Sequence, residues 1–88
     1  MNELPNDNKA ERGVLGSILL DPLPSFSKIT ISKDDFFTHK NQVLFEQLKD
    51  MYVNNLLLDI ITIRNYLKDN KKLDVIGGGD YLLELQEE

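Results

Sequence analysis

Residues 75–85 read VIGGGDYLLEL: three consecutive glycines, an acid, then an apolar run. Glycine-rich loops that open helices are where proteins cradle phosphate, because free backbone N–H groups and the helix dipole both favour an anion. A P-loop would add a lysine and a hydroxyl residue at the helix start, in the order G-x-x-x-x-G-K-[ST]. Here Gly77, Gly78 and Gly79 lead into Asp80 and Tyr81, which puts a carboxylate where phosphate would sit. A dinucleotide fingerprint would also need a preceding strand inside a βαβ unit, and none is readable before this run. The glycines therefore read as a turn between helices, with Asp80 complementing the positive end of the second.

Catalytic chemistry finds little else to use. His39 is the single histidine, set among Thr38, Lys40 and Asn41 at a helix start. No His/Asp/Glu set has metal-ligand spacing, and no serine sits in a nucleophile-elbow pattern. The acid pairs Asp34–Asp35 and Glu87–Glu88 are sequence neighbours, and neighbours on a helix do not share a face. No catalytic residue, metal site or cofactor is expected within these residues. The local charge pattern says more. Arg64, Lys68, Lys71 and Lys72 are four of the ten basic residues and cluster at one helix end, while residues 80–88 hold four acids and no base. The cations suit a solvated helix C-terminus; the other use for them is a docking patch for an acidic partner or for DNA.

The elements that must position these residues read as helices. The chain has 88 residues, 41% hydrophobic and 28% charged, which fits one water-soluble domain with a modest core. A net charge of −5 argues against a free-standing nucleic-acid binder. There is no cysteine, the N-terminus lacks the basic and apolar regions of a signal peptide, and the apolar runs break at Asp59. A cytoplasmic location follows as the expectation.

Residues 1–8 form a polar lead. Asp7 or Asn8 can cap a helix running to about Leu20, with Ala10, Val14, Leu15, Ile18 and Leu19 on one face. Gly13 and Gly16 within it would let a neighbouring helix approach closely, and the prolines of DPLPS (21–25) must end it. FSKITI (26–31) alternates enough for a short strand, with a short helix or irregular segment equally compatible. Ser32 and KDDFF suggest a capped turn that offers Phe36 and Phe37 to the core. From His39 to about Asn54 the helical pattern is strongest: Leu44, Phe45, Leu48, Met51 and Tyr52 form a stripe, and Lys40, Gln42, Glu46, Lys49 and Asp50 face away. Asp59 is a good N-cap for a helix through roughly Asn70, with Ile60, Ile63, Tyr66 and Leu67 inward. A last helix begins near Gly79 or Asp80 and carries Leu82, Leu83 and Leu85.

Taken in order, the segments resemble the N-terminal domain of the DnaB-type replicative DNA helicase. AERGVLGSILLDP (10–22) looks like the family's A-E-x-x-V-L-G-x-x-L-L-D-P opening. DDFF (34–37) is similar to its D-F-Y, LFEQL (44–48) to its I-F-x-x-[IL], and LDIITIRNYL (58–67) to D-[LV]-V-T-[LV]-x-x-x-L, with Asp59 and Thr62 in register. IGGGDYLLEL (76–85) is similar to its closing [VI]-G-G-x-x-Y-L-x-x-L. Each motif is weak alone; five in order over residues 4–86 are specific. Three positions depart from the pattern. Asn41 stands where the family often has histidine, Phe37 replaces the tyrosine of D-F-Y, and Lys9 occupies a frequently acidic position.

The resemblance implies an all-α fold, a small orthogonal bundle of about five to six helices without a sheet, spanning residues 9–88. It implies a fragment of a longer chain, without the helical hairpin, the linker and the RecA-like ATPase domain that follow such domains. The implied function is a non-catalytic protein-interaction domain that forms the N-terminal collar of the helicase hexamer and docks primase during DNA replication. ATP and magnesium would serve the parent helicase, an ATP-dependent enzyme, and not this fragment. The implied partners are primase's C-terminal helicase-binding region, the other hexamer subunits and a helicase loader, with no membrane, and DNA only through the parent hexamer. Tyr81, in the G-G-x-x-Y-L motif, is the candidate primase-facing residue, its alternative being a ring packed beside Leu82 and Leu85; Lys9, Glu11 and Arg12 are further candidates. The alternative reading is a free-standing helical adaptor, phage- or plasmid-encoded, that binds a helicase. A DNA-binding module using Arg64, Lys68, Lys71 and Lys72 is the third.

Overall fold

A computed structural model describes residues 8–21 and 36–87. Four helices lie within them: α1 (Asn8–Leu20), α2 (His39–Val53), α3 (Ile60–Asp69) and α4 (Gly79–Gln86), and no strand occurs among the described residues. The all-α expectation holds, with four helices here against five to six expected. The polar lead through residue 7, the proline stop, FSKITI and the turn at Ser32 fall outside the described residues.

The core gathers Leu15 and Ile18 from α1, Leu44, Phe45, Leu48 and Met51 from α2, Ile63 and Leu67 from α3, and Tyr81, Leu82 and Leu85 from α4, with Phe36 and Ile76 from the connections. These recur at three- and four-residue spacing, so each helix turns one apolar stripe inward. α1 packs on α2 and on α4, and α3 packs on α4. Phe36 sits against Phe45 with ring centroids 5.0 Å apart. Between α2 and α3, the Tyr66 hydroxyl donates to Asp50 Oδ2, and that bond, with burial and the aspartate's charge, raises the phenol above its ordinary range.

Several expectations need correction. Phe37 is 70% exposed, because Phe36 fills the core while the next side chain in this non-helical stretch projects the other way. Leu83 is carried by α4 as expected; it is 49% exposed, one position off the stripe of Leu82 and Leu85. Lys40 and Gln42 are half-buried, not turned away: the Gln42 amide donates to the Phe36 carbonyl at 2.6 Å. Among the described residues a Cβ at Gly13 would meet nothing within 4 Å, so none of the described helices requires a glycine there.

Three turns share one geometry. After α2, Leu56 N–H returns to Met51 O at 2.9 Å and Asn55 N–H to Tyr52 O at 3.1 Å. After α3, Lys72 N–H returns to Leu67 O at 2.7 Å and Lys71 N–H to Lys68 O at 3.1 Å. Before α4, Gly78 N–H returns to Leu73 O at 2.9 Å and Gly77 N–H to Asp74 O at 3.1 Å. This is the paired bonding of a Schellman motif, which places its penultimate residue at positive φ. Those residues are Asn55 (φ 61°), Lys71 (φ 61°) and Gly77 (φ 96°). Gly78, also at positive φ (86°), is the N-cap of α4. The glycine run is thus a turn and a cap, as its residues suggested. At the start of α3, Asp59 caps by accepting from Thr62 N–H at 2.8 Å, which holds its carboxyl below the ordinary aspartate range.

Candidate interaction corner

α2 begins at His39 behind Thr38, whose side chain makes no cap hydrogen bond. The cap comes from another helix. Glu11 of α1 is fully buried, and its carboxylate accepts from Phe37 N–H at 2.7 Å, Thr38 N–H at 3.2 Å and the Asn41 side-chain amide at 2.8 Å. A negative charge beside the N-terminal end of α2 also meets the positive end of its dipole. Burial alone would push the Glu11 carboxyl up, but the bonds from Asn41, Phe37 and Thr38 outweigh it and hold the group below its ordinary range.

Asn41 is buried as well, and its other amide atom, Oδ1, accepts from the Tyr81 hydroxyl of α4. The chemistry fixes the orientation of the amide: a carboxylate can only accept, so the NH₂ faces Glu11 and the oxygen is left for the phenol. One chain of bonds therefore joins α1, α2 and α4. Burial raises the Tyr81 phenol above its ordinary range, with the charges of Glu11 and Glu84 acting in the same sense and Arg12 and Asn41 against it.

Two cations cover the ring. Lys40 Nζ lies 4.0 Å from the Tyr81 centroid and Arg12 Cζ 5.8 Å, both within reach of the ring's negative face. Arg12 also meets Glu84 Oε1 at 3.4 Å. The result is a layered corner, with Glu11, Asn41 and Tyr81 inside and Arg12, Lys40 and Glu84 at the rim. Its acid is hydrogen-bonded on both oxygens and its phenol is committed to Asn41, so the arrangement positions side chains and holds helices together. The rim offers both signs of charge to a partner surface.

Of the residues singled out from sequence, Glu11, Arg12 and Tyr81 meet at this corner, and Lys9 lies in the same first helix. Tyr81 is 4% exposed, so its ring packs in the core. The basic residues Arg64, Lys68, Lys71 and Lys72 are all exposed, but they do not share one helix end as expected: Arg64 lies in the middle of α3, Lys68 in its last turn, and Lys71 and Lys72 just beyond it. Sequence reading missed Asn41 and Lys40. A signal for Asn41 existed: it precedes Leu44, Phe45 and Leu48 by three, four and seven residues, on the apolar stripe itself.

Residues 3–88 match the family described as "DnaB-like helicase N terminal domain". Among curated proteins, the chain is 36% identical over 84 residues to a replicative DNA helicase DnaB of Buchnera aphidicola (subsp. Baizongia pistaciae), covering 94% of this chain and 18% of that protein. It is 34% identical over 83 residues to that of Geobacillus stearothermophilus and 31% to that of Pasteurella multocida, each match covering 92% of this chain and 18% of the relative. The chain thus spans under a fifth of the length of these relatives. With the match running across nearly every residue, the chain belongs to the DnaB-like helicase N-terminal domain family.

Proposed function

We propose that this chain is the non-catalytic protein-interaction domain of a replicative DNA helicase, contributing to the N-terminal collar of the hexamer and docking the C-terminal helicase-binding region of primase. Family membership supports the assignment to a helicase, and the observation that carries the docking role is the corner at Tyr81. There a buried hydrogen-bonded chain from Glu11 through Asn41 holds Arg12, Lys40 and Glu84 at a rigid rim. A preorganised charged rim suits partner recognition, since fewer side chains must be ordered on binding. In this reading ATP and magnesium serve the motor of the parent helicase, the parent acts in the cytoplasm, and a loader is a further partner.

Titration of the chain with primase's C-terminal region by calorimetry tests the role. Arg12→Glu and Lys40→Glu are expected to weaken binding while circular dichroism and melting stay near wild type. Tyr81→Phe keeps the ring and should bind nearly as wild type, whereas Tyr81→Ala should melt earlier and lose binding through the fold. Affinity unchanged in both rim variants would sink the corner as the docking site, and no binding by the wild-type chain would sink primase as its partner.

A further inference from the structure

The outer face of α3 carries an ordered run, first apolar and then cationic. Leu57, two residues ahead of the N-cap, and Ile61, in the first turn, are 69% and 70% exposed. Arg64 and Lys68 follow Ile61 at three- and four-residue steps, which puts the three on one side of the helix. Lys71 and Lys72 continue the run beyond the C-cap, and all four cations are exposed. Four of the ten basic residues thus fall between positions 64 and 72 of a chain whose net charge is −5. Helix stability accounts for part of this. Lys68 stands in the last turn and meets the negative end of the helix dipole, but that effect fades within a turn and does not reach Arg64. Like charges four apart repel, so Arg64 and Lys68 cost the isolated helix stability. None of the four cations makes an ion pair with a described residue, although Asp69 and Asp74 are nearby in sequence. Arg64 is braced at its stem, whose Cδ lies 3.4 Å from where a Cβ of Gly79 would stand.

We propose that this face docks an acidic, apolar-tipped peptide segment of a partner protein. The apolar end of the segment covers Leu57 and Ile61, and its carboxylates pair with Arg64, Lys68, Lys71 and Lys72. Charge complementarity carries the acidic part, and the exposed Leu57 and Ile61 carry the apolar part. Exposed ion pairs contribute little singly, so several must form together with apolar burial for the segment to hold. Ile61 to Lys68 spans about 10 Å of helix axis, so a short segment reaches along the run. A phosphate backbone fits less well. Its charge is continuous, whereas Asp59, Asp69 and Asp74 are exposed among these cations, and the face has no exposed aromatic ring on which bases could stack. An anionic bilayer would draw Asp59 into its headgroups along with Leu57 and Ile61. α3 supplies no residue to the corner at Tyr81, so this is a second surface, independent of the docking role proposed there.

Fluorescence anisotropy tests this with a labelled synthetic peptide in which leucines precede glutamates at every third or fourth position. The wild-type chain should bind it at low salt and release it as salt is added. Lys68→Glu with Lys72→Glu, which leaves the Arg64 stem against Gly79, should weaken binding roughly tenfold or more while circular dichroism stays near wild type. The same peptide with lysine in place of glutamate should bind that variant more tightly than it binds the wild type, because the reversed face then meets a reversed partner. Ile61→Ser should weaken binding about fivefold, as should serine in place of the leucines in the peptide. No binding at low salt would overturn the proposal, as would equal affinity for the leucine-free peptide. Oligothymidylate or phosphatidylglycerol vesicles that bind more tightly than the peptide through the same cations would overturn it too. So would sedimentation showing a second copy of the chain seated on this face that the peptide does not displace.

Discussion

The Asn41 side-chain amide donates to the Glu11 carboxylate at 2.8 Å, tying the second helix to the first across thirty residues of sequence. Both groups are buried, so each has given up water for the other. Such a bond contributes most through what its loss leaves behind: an isolated buried charge and an unmet amide.

Glu11→Ala should therefore lower stability by about 3 kcal/mol, since it strips the carboxylate from three donors at once. Glu11→Gln, which keeps the shape and one acceptor, should lose about half as much. The pH dependence has a definite sign. The folded carboxyl titrates below its ordinary value of 4.5, so its contribution is complete above that value and disappears as pH falls through the folded one. Urea midpoints measured from neutral pH down to about pH 3 should show an acid decline in the wild type that is shallower in Glu11→Gln.

Asn41→His should be tolerated near neutral pH. A neutral imidazole carries one N–H for Glu11 and one lone pair for the Tyr81 hydroxyl, the same inventory as the amide it replaces. Asn41→Leu, similar in size but without either group, should lose about 2 kcal/mol. Thermal melts of the two variants side by side decide this; equal losses would mean that volume, not hydrogen bonding, is what the site requires.

Adjacent phenylalanines should behave oppositely. Phe36, buried against Phe45, should lose about 3–5 kcal/mol on replacement by alanine. Phe37→Ser, at a position 70% exposed, should leave the melting temperature near wild type.

Lys71→Gly should stabilise the domain by about 0.5–1 kcal/mol, because lysine holds a left-handed backbone that glycine adopts without a Cβ penalty. Asn55→Gly, at the matching position after α2, should be nearly neutral, since asparagine tolerates that conformation. Chemical denaturation of both variants gives the comparison.

Much of this was legible in the residues. The helices of Leu44–Met51 and Ile63–Leu67 follow from apolar spacing, Asp59 announces its own cap, and Gly77 and Gly78 announce a turn. The corner was less so, for a physical reason. Glu11 and Asn41 each lie on an otherwise apolar stripe, Glu11 four and seven residues before Leu15 and Ile18, but a stripe does not say which polar group meets which. Their pairing depends on how α1 lies across the start of α2, which no local pattern encodes. Phe36 and Phe37 fail similarly: composition marks both as core candidates, and only the backbone path into Thr38 chooses between them.

The packing of α1 on α4 also constrains how the domain comes into being. Leu15 and Ile18 belong to a core completed by Leu82 and Leu85, which a ribosome adds only near the end of this segment. Contacts of such long sequence separation delay folding, and a nascent chain must carry its exposed apolar first helix until the last is made. Stalled synthesis before Gly79 should leave an intermediate that is sensitive to proteases and prone to aggregate, and release of the final helix should convert it in one cooperative step.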